Sequence, residues 1–331
     1  MERRAARAAG GRAAARWVAG AGGGGRRAAT TARLRGALAG LGRLAARVPG
    51  LGPRLAGRAV EIALPDDPEY CSSCVIPTDW AEVPLLRKKR YSHDSSVFTF
   101  GLPRGQSLSL PVCACLLMRG FDAAGQEAVR PYTPTSSNDV QGSFDLLVKV
   151  YENGVVSKWL DGLELGTPVG FKHIPFNIKA QYPADFKKNI TMVAGGTGIT
   201  PMYQALQCIA KNPDDTSEVT LLYGNKSPED ILLRSELDAL AAKSGGRIKV
   251  VHVVGTAPDQ GPIEGWDGEL GWVDEAKFVK YAAPPSEDTL VMVCGLPGLY
   301  DAFCGPRTEA GVQKRTILHK LGYTAEMVAK F

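Results

Sequence analysis

The sequence predicts an all-β domain followed by a parallel α/β domain, behind a basic N-terminal segment. Three observations carry this. Residues 1–60 are arginine, alanine and glycine with almost no acid, and cannot bury a core. From Trp80 the chain breaks into short β-type runs with little helical periodicity. From residue 186 apolar strands alternate with helix-compatible segments, the pattern of βαβ units in a parallel sheet. The expected divisions are 1–60, a linker at 61–78, a β domain at 79–185 and an α/β domain at 186–331.

The charge of +5 over 331 residues hides an asymmetry. Residues 1–60 hold thirteen arginines, no lysine and one acid, Glu2, a net +12. The rest holds 26 basic and 33 acidic residues, a net −7. The body is mildly acidic, which argues against nucleic-acid binding. The Arg-rich, acid-poor segment has the composition of an organellar transit peptide, although serine is absent, and the arginines favour the mitochondrion. A basic tail on an anionic surface is the alternative. No run of 18 uncharged apolar residues occurs, so no spanning helix is expected, and peripheral membrane association stays open. The seven cysteines have no framework spacing. Cys71-x-x-Cys74 lacks the second pair that a zinc site needs. The four histidines show no metal spacing, so no metal is expected. Neither H-E-x-x-H nor G-x-S-x-G occurs.

In the β domain, strands are expected at Pro84–Arg90, Ser96–Gly101, Val112–Met118 and Phe144–Tyr151. Two stretches flank the last. Arg130-Pro131-Tyr132-Thr133-Pro134 offers a guanidinium, an aromatic ring and a hydroxyl. Asn153-Gly154-Val155-Val156-Ser157 puts glycine and serine at an expected helix start, with Ser157 as N-cap, an arrangement suited to a pyrophosphate. Each is equally a plain turn when taken alone.

In the α/β domain, strand 190–194 runs into Gly195-Gly196-Thr197-Gly198-Ile199-Thr200-Pro201. A strand, a glycine turn and a helix start together make an anion site. Thr200 suits the N-cap and Pro201 the first helical position. Pro201 stands where a dinucleotide fingerprint has its third glycine, and no acid ends the next strand, which reads Leu222-Tyr223-Gly224-Asn225-Lys226. A tight turn without ligand is the alternative. Further elements are expected as helix 201–210, strand 219–223, a helix from Pro228 to about Lys243, strand 248–254, a helix near Asp274–Tyr281, strand 289–294 and a terminal strand Val328–Phe331. Ligands of such sheets sit at the carboxyl ends of strands, which brings Gly195 and Cys294 together.

The ordered series Arg130-x-Tyr132-Thr133, Gly154-x-x-Ser157, Gly195 to Pro201 and Cys294-Gly295-x-Pro297 resembles the ferredoxin–NADP reductase superfamily, over roughly residues 80–331. Within it the chain is most similar to NADH–cytochrome b5 reductases. Tyr223 to Leu237, Ile263-Glu264-Gly265-Trp266-Asp267-Gly268 and Leu321-Gly322-Tyr323-Thr324 resemble the mitochondrial b5-reductase-like proteins of plants and algae.

The resemblance implies a six-stranded antiparallel FAD-binding barrel followed by a parallel α/β NAD-binding domain. It implies FAD contacts from Arg130, Tyr132, Thr133, Pro134, Val148, Lys149, Tyr151, Gly154, Val155, Val156, Ser157 and Thr200. It implies NADH contacts from Lys149, Gly195, Gly196, Thr197, Gly198, Ile199, Pro201, Cys294, Gly295 and Pro297, with Thr133 and Cys294 at the reacting rings. Lys149 is equally a solvated strand lysine; for Cys294 a buried strand-end thiol is the alternative, set second because Gly295 and Pro297 follow it. NADH is the expected reductant. NADPH is the alternative, because Gly255 stands where NADH-preferring members often carry an acid and Lys226 suits a 2′-phosphate. The implied activity is hydride transfer from NADH to FAD, then single electrons to a cytochrome b5-type haem protein, by a monomer. A ferredoxin or quinone acceptor, or a nucleotide sensor without turnover, are the competing readings. Arg87-Lys88-Lys89-Arg90 and Lys172, Lys179, Lys187 and Lys188 are the candidate docking cations.

Overall fold

The computed structural model describes residues 74–175, 178–183, 185–255 and 263–331. The basic segment 1–60 and Cys71 lie outside the described residues.

The first lobe is a curled antiparallel sheet of β1 (Ala81–Arg90), β2 (Ser95–Gly101), β3 (Leu116–Phe121), β4 (Glu127–Tyr132), β5 (Ser143–Lys149) and β6 (Pro168–His173). Their order is β4-β3-β6-β1-β2-β5. Alternation drives the curl: Ala81, Val83 and Leu85 of β1 point inward while Glu82, Pro84 and Leu86 face out. A register shift between Leu85 and Arg87 bends β1, so it pairs with β6 before the shift and mainly with β2 after it. Phe100, Phe144 and Phe171 fill the centre with ring centroids 4.8–5.4 Å apart. β4 and β5 are the two edges of this sheet. Helix α1 (Val155–Gly162) follows β5 and packs on β3, where a Cβ at Gly120 would come within 2.8 Å of the Trp159 ring.

The second lobe is a six-stranded sheet of β7 (Asn189–Gly195), β8 (Glu218–Asn225), β9 (Ile248–Val254), β10 (Glu269–Leu270), β11 (Thr289–Cys294) and β12 (Val328–Lys330). All pairings are parallel and the order is β10-β9-β8-β7-β11-β12. The helices are α2 (Ile199–Lys211), α3 (Arg234–Lys243), α4 (Glu275–Tyr281), α5 (Pro297–Phe303) and α6 (Ile317–Lys320). The chain steps from β7 to β8 and β9 on one side, then returns to lay β11 on the other. The switch point of the sheet therefore falls between β7 and β11.

Several expectations need correction. The strand expected at Val112–Met118 begins at Leu116, because Cys113 adopts a left-handed φ of 64° and turns the chain. β4 and β6 were hidden by Pro131, Pro168 and Gly170, residues that disfavour a strand reading. The helix expected from Pro228 starts at Arg234: Leu233 has φ 58°, which separates α3 from the short turn Pro228–Asp230. Residues 74–78, expected as linker, pack on the first lobe. Ile76 is buried in its core, Val75 N–H donates to Leu108 O, and Pro77 O accepts from His173 N–H.

The lobes meet through polar pairs around an apolar seam in which Cys113 and Leu147 join the core of the second sheet. The Cys113 N–H donates to Gln204 Oε1 at 2.5 Å, and Gln207 Nε2 donates to Thr135 O at 3.0 Å. The Tyr91 hydroxyl accepts the Leu233 N–H at 2.9 Å and donates to Glu236 at 3.1 Å. Tyr91 thus holds the strained residue at the start of α3. Tyr91→Phe strands a backbone donor and is expected to destabilise the protein by about 1–3 kcal/mol, measurable by urea unfolding.

Candidate functional site

A cavity of about 1140 Å³ lies between the lobes. It is bordered by both edges of the first sheet, by the start of α1, and by the carboxyl ends of β7, β8 and β11. Of the 21 residues that the sequence nominated, 18 line it. The exceptions are Pro134 and Ile199, which are buried, and Pro297, which is exposed at the start of α5.

The first anion-binding corner is Arg130 with the turn into α1. Among the described residues the exposed Arg130 has no acidic partner, and its guanidinium donates to Val129 O at 2.8 Å. Gly154 is the N-cap of α1, and a Cβ there would stand 2.2 Å from Ser157 Oγ. Ser157 is not the N-cap that was expected. It is the third helical residue, buried, and its Oγ accepts the Tyr151 N–H at 3.3 Å, bracing the turn from behind. The first N–H groups of a helix have no intrahelical acceptor, so this end presents donors to the cavity.

The second corner is the Gly195–Pro201 turn. Gly196 has φ 52°, and Gly196–Gly198 form a 3₁₀ turn that runs straight into α2. The helix therefore starts at Ile199, one residue before the expected cap. Thr200 lies inside it, donating to Thr197 O at 3.3 Å, and Pro201 is the third helical residue, still within the first turn, where no N–H is needed. The buried Tyr223 donates to Gly196 O at 2.9 Å and fixes the turn from β8.

Gly198 is the tightest point. A Cβ there would lie 2.2 Å from Cys294 O and 2.9 Å from Gly295 N. The glycine turn thus touches the Cys294–Gly295 peptide across the switch point. Burial raises the Cys294 thiol to about 11, with the Tyr300 hydroxyl beside it pulling the other way, so it stays protonated at neutral pH. Tyr300 is itself buried and donates to Phe331 O, which ties α5 to the end of the chain. Tyr132 lies at the rim of β4 with its hydroxyl pushed up to about 12 by burial.

Lys149 is an ion-pair residue rather than a free strand lysine. Its Nζ lies 2.5 Å from Asp94 and 3.4 Å from Asp230, so it bridges the β1–β2 turn of the first lobe to the second lobe. His93 Nε2 stands 3.4 and 3.6 Å from the same carboxylates. Sequence order gave no sign of this cluster, because its members are far apart in the chain. Lys179, Asn225, Lys226, Trp272, Tyr300, Arg307 and Phe331 also line the cavity. Among the described lining residues, Asp94 and Asp230 are the carboxylates, against Arg130, Lys149, Lys179, Lys226 and Arg307. The cavity is basic although the body of the chain is acidic.

Residues 82–174 match the oxidoreductase FAD-binding domain family, and residues 192–305 match the oxidoreductase NAD-binding domain family. An NADH-cytochrome b5 reductase-like protein of Arabidopsis thaliana is 39% identical over 262 residues, covering 77% of each chain. NADH-cytochrome b5 reductase 2 of Kluyveromyces lactis is 38% identical over 256 residues, 76% of this chain and 84% of the relative. The crystal structure of the cytochrome b5 reductase domain of Ulva prolifera nitrate reductase superposes with a TM-score of 0.67 at 30% identity. It covers 78% of this chain and 100% of that one. The chain belongs to the NADH–cytochrome b5 reductase family.

The cavity fits the cofactors of that family. FAD belongs with the first lobe and NADH with the second. Two dinucleotides bring two pyrophosphates, and the cavity offers two helix starts behind glycines that leave no room for a Cβ. The docking cations need revision. Lys88 Nζ donates to Asp161 O and Leu163 O at the end of α1, and Lys172 is buried over the Trp80 ring. Arg90, Lys89, Lys179, Lys187 and Lys188 remain on the surface.

Two predictions follow from this geometry. Gly198→Ala drives a methyl into the Cys294–Gly295 peptide; NADH affinity falls by more than about tenfold, since a misplaced main chain loses its anion contacts, while bound flavin is retained. Titration of the variant beside the wild type with NAD⁺, a non-reducing stand-in for NADH, with the flavin spectrum as reporter checks both. The second concerns pH. Burial opposes the charge on Asp94, but the bonds from Lys149 and Ser95 outweigh it and hold its pKa down. Burial likewise opposes the charge on Lys149, and Asp94 and Asp230 outweigh it and raise its pKa. The Asp94 contribution to stability is full above its unfolded pKa of about 3.9 and is lost as pH falls through the lower folded value. That of Lys149 is full below about 10.4 and is lost as pH rises through the higher folded value. Lys149→Gln should therefore flatten the loss of stability in the acid range below about pH 4, read from melting temperatures across pH.

Proposed function

We propose that the protein is an FAD-dependent reductase that takes a hydride from NADH and passes single electrons to cytochrome b5 or a closely similar haem protein. The observation that carries this reading is the meeting of two anion-binding helix starts and the Cys294 strand end in one cavity between the lobes. FAD supplies the conversion between two-electron and one-electron chemistry.

The chain's own residues bind, orient and exclude water. Arg130 and the Gly154–Ser157 turn hold the flavin pyrophosphate. Tyr132, Thr133 and Val148 border the flavin side of the cavity. Gly196, Thr197 and Gly198 would hold the nucleotide pyrophosphate, with the Cys294–Gly295 peptide against them. The protonated thiol of Cys294 packs as a neutral group; its raised pKa suits contact with a ring and not attack on it. Thr133 and Cys294 are the residues assigned to the reacting rings. The Lys149 cluster keeps the lobes closed around them.

The acceptor reading rests on the family, and the surface cations Lys179, Lys187 and Lys188 suit an acidic haem protein. The arginine-rich residues 1–60 support a mitochondrial transit peptide, and a monomer is the proposed state. No helix among the described residues is long and apolar enough to cross a membrane.

Purified holoprotein is expected to be yellow, to bleach on NADH addition, and to reduce cytochrome b5 in stopped flow. A chain that binds FAD but oxidises NADH with neither ferricyanide nor cytochrome b5 would overturn the proposal. Arg130→Ala is expected to lower FAD retention by roughly 1.5–3 kcal/mol, the worth of a charge-assisted bond, measured as flavin content after dialysis. Fusing residues 1–60 to a fluorescent protein tests the organelle assignment; diffuse cytosolic fluorescence would refute it.

A further inference from the structure

His93, Asp94 and Asp230 bring three metal-binding side chains to one edge of the cavity. His93 and Asp94 lie in the β1–β2 turn of the first lobe, and Asp230 closes the short turn after β8 in the second. One donor atom of each lies within 4.8 Å of the other two. His93 Nε2 stands 3.4 Å from Asp94 Oδ2 and 3.6 Å from Asp230 Oδ1. Tetrahedral zinc, with bonds of about 2.0–2.2 Å, sets its ligand atoms about 3.3–3.6 Å apart. An imidazole and two carboxylates are also a zinc donor set, and three protein ligands leave a fourth position for water. Spacing along the chain does not reveal this group, because its members come from two lobes.

The two carboxylates are held in place from behind. Asp94 Oδ1 accepts from the Ser92 and Ser95 hydroxyls at 3.2 and 2.9 Å, and Asp230 Oδ2 accepts from Ser227 Oγ at 3.1 Å. Each acid thus commits one oxygen to serine and turns the other towards His93 and Lys149. Outer-shell bonds of this kind orient metal ligands. A cation already stands between the acids, since Lys149 Nζ contacts both. One ammonium faces two carboxylates, and a divalent ion balances them where a single charge does not.

We propose that His93, Asp94 and Asp230 form an inhibitory zinc site across the lobe seam, filled in exchange for the Lys149 ammonium. Zinc keeps the seam bridged, because its ligands come from both lobes. It also drives Lys149 out of its ion pairs at the edge of the cavity. The catalytic consequence rests on the reductase reading: Lys149 is an NADH contact by family resemblance, so its displacement weakens NADH binding.

The test uses the full-length FAD-loaded holoprotein with Zn²⁺ as the only added metal. In calorimetry, His93→Ala is expected to weaken Zn²⁺ binding at least about tenfold, the least that losing even an outer-shell partner costs. Lys149→Met removes the competing cation and is expected to tighten binding, whereas Lys149→Arg keeps the charge and does not. Zn²⁺ is expected to raise the melting temperature of the wild type, as a ligand of the folded state does, and not that of His93→Ala. In stopped flow, Zn²⁺ is expected to raise the NADH concentration for half-maximal flavin reduction severalfold in the wild type, reversibly with EDTA. Zn²⁺ affinity unchanged in His93→Ala puts the ion on other ligands, thiols included, and overturns the site. Affinity unmoved by Lys149→Met overturns the exchange. Equal binding of Mg²⁺ marks a loose acidic cluster and overturns the zinc assignment. A protein that NADH fails to bleach, yet that binds Zn²⁺ through His93, loses the reductase reading and keeps the site.

Discussion

Everything at the site depends on one backbone contact, that of Gly198 against the Cys294–Gly295 peptide. The two segments come from adjacent strands, β7 and β11, that run parallel in register from Asn189 opposite Thr289 to Ala194 opposite Cys294. Parallel strands leave their carboxyl ends side by side. The chain then has to open a crevice there without filling it. Glycine at 198 and at 295 does this, since a side chain at Gly295 would meet Leu299 at 2.6 Å. These missing side chains deepen the nucleotide end of the cavity.

The other half of the site is made by a different device. A parallel sheet offers strand ends, whereas an antiparallel sheet offers edges. The first lobe brings its two edge strands, β4 and β5, to the same cavity. Arg130 and Tyr132 come from one edge, and Val148 and Lys149 from the other. The polar bonds between lobes then set the distance. Tyr91 on Leu233, Cys113 on Gln204 and Lys149 on Asp230 are spread around the seam, so the cavity is held at several points of its rim.

Much of this was legible in the sequence because its signals are local. A glycine turn after an apolar strand, an arginine before a strand and a glycine before a helix each announce themselves within ten residues. They also arrive in an order that points to one family. What stayed hidden is long-range or conformational. Asp94 and Asp230 matter because Lys149 reaches both, and no local pattern records that. Cys113 and Leu233 carry left-handed backbone that their residue types do not advertise. Prolines in β4 and β6 masked strands whose edge or terminal positions tolerate them. Thr200 and Ser157 have the right chemistry for caps, yet the helices begin before them because glycines at 198 and 154 take that place.

The edge strands have a consequence for self-association. An open strand edge is a row of unsatisfied N–H and C=O groups, a template on which another copy can add a strand. The β5 edge is partly covered by its own chain: Thr135 N–H donates to Asp145 O, and Asp145 N–H donates to Ser136 Oγ. The short segment from Thr133, which lines the cavity, to Ser136 therefore also blunts the edge beside it.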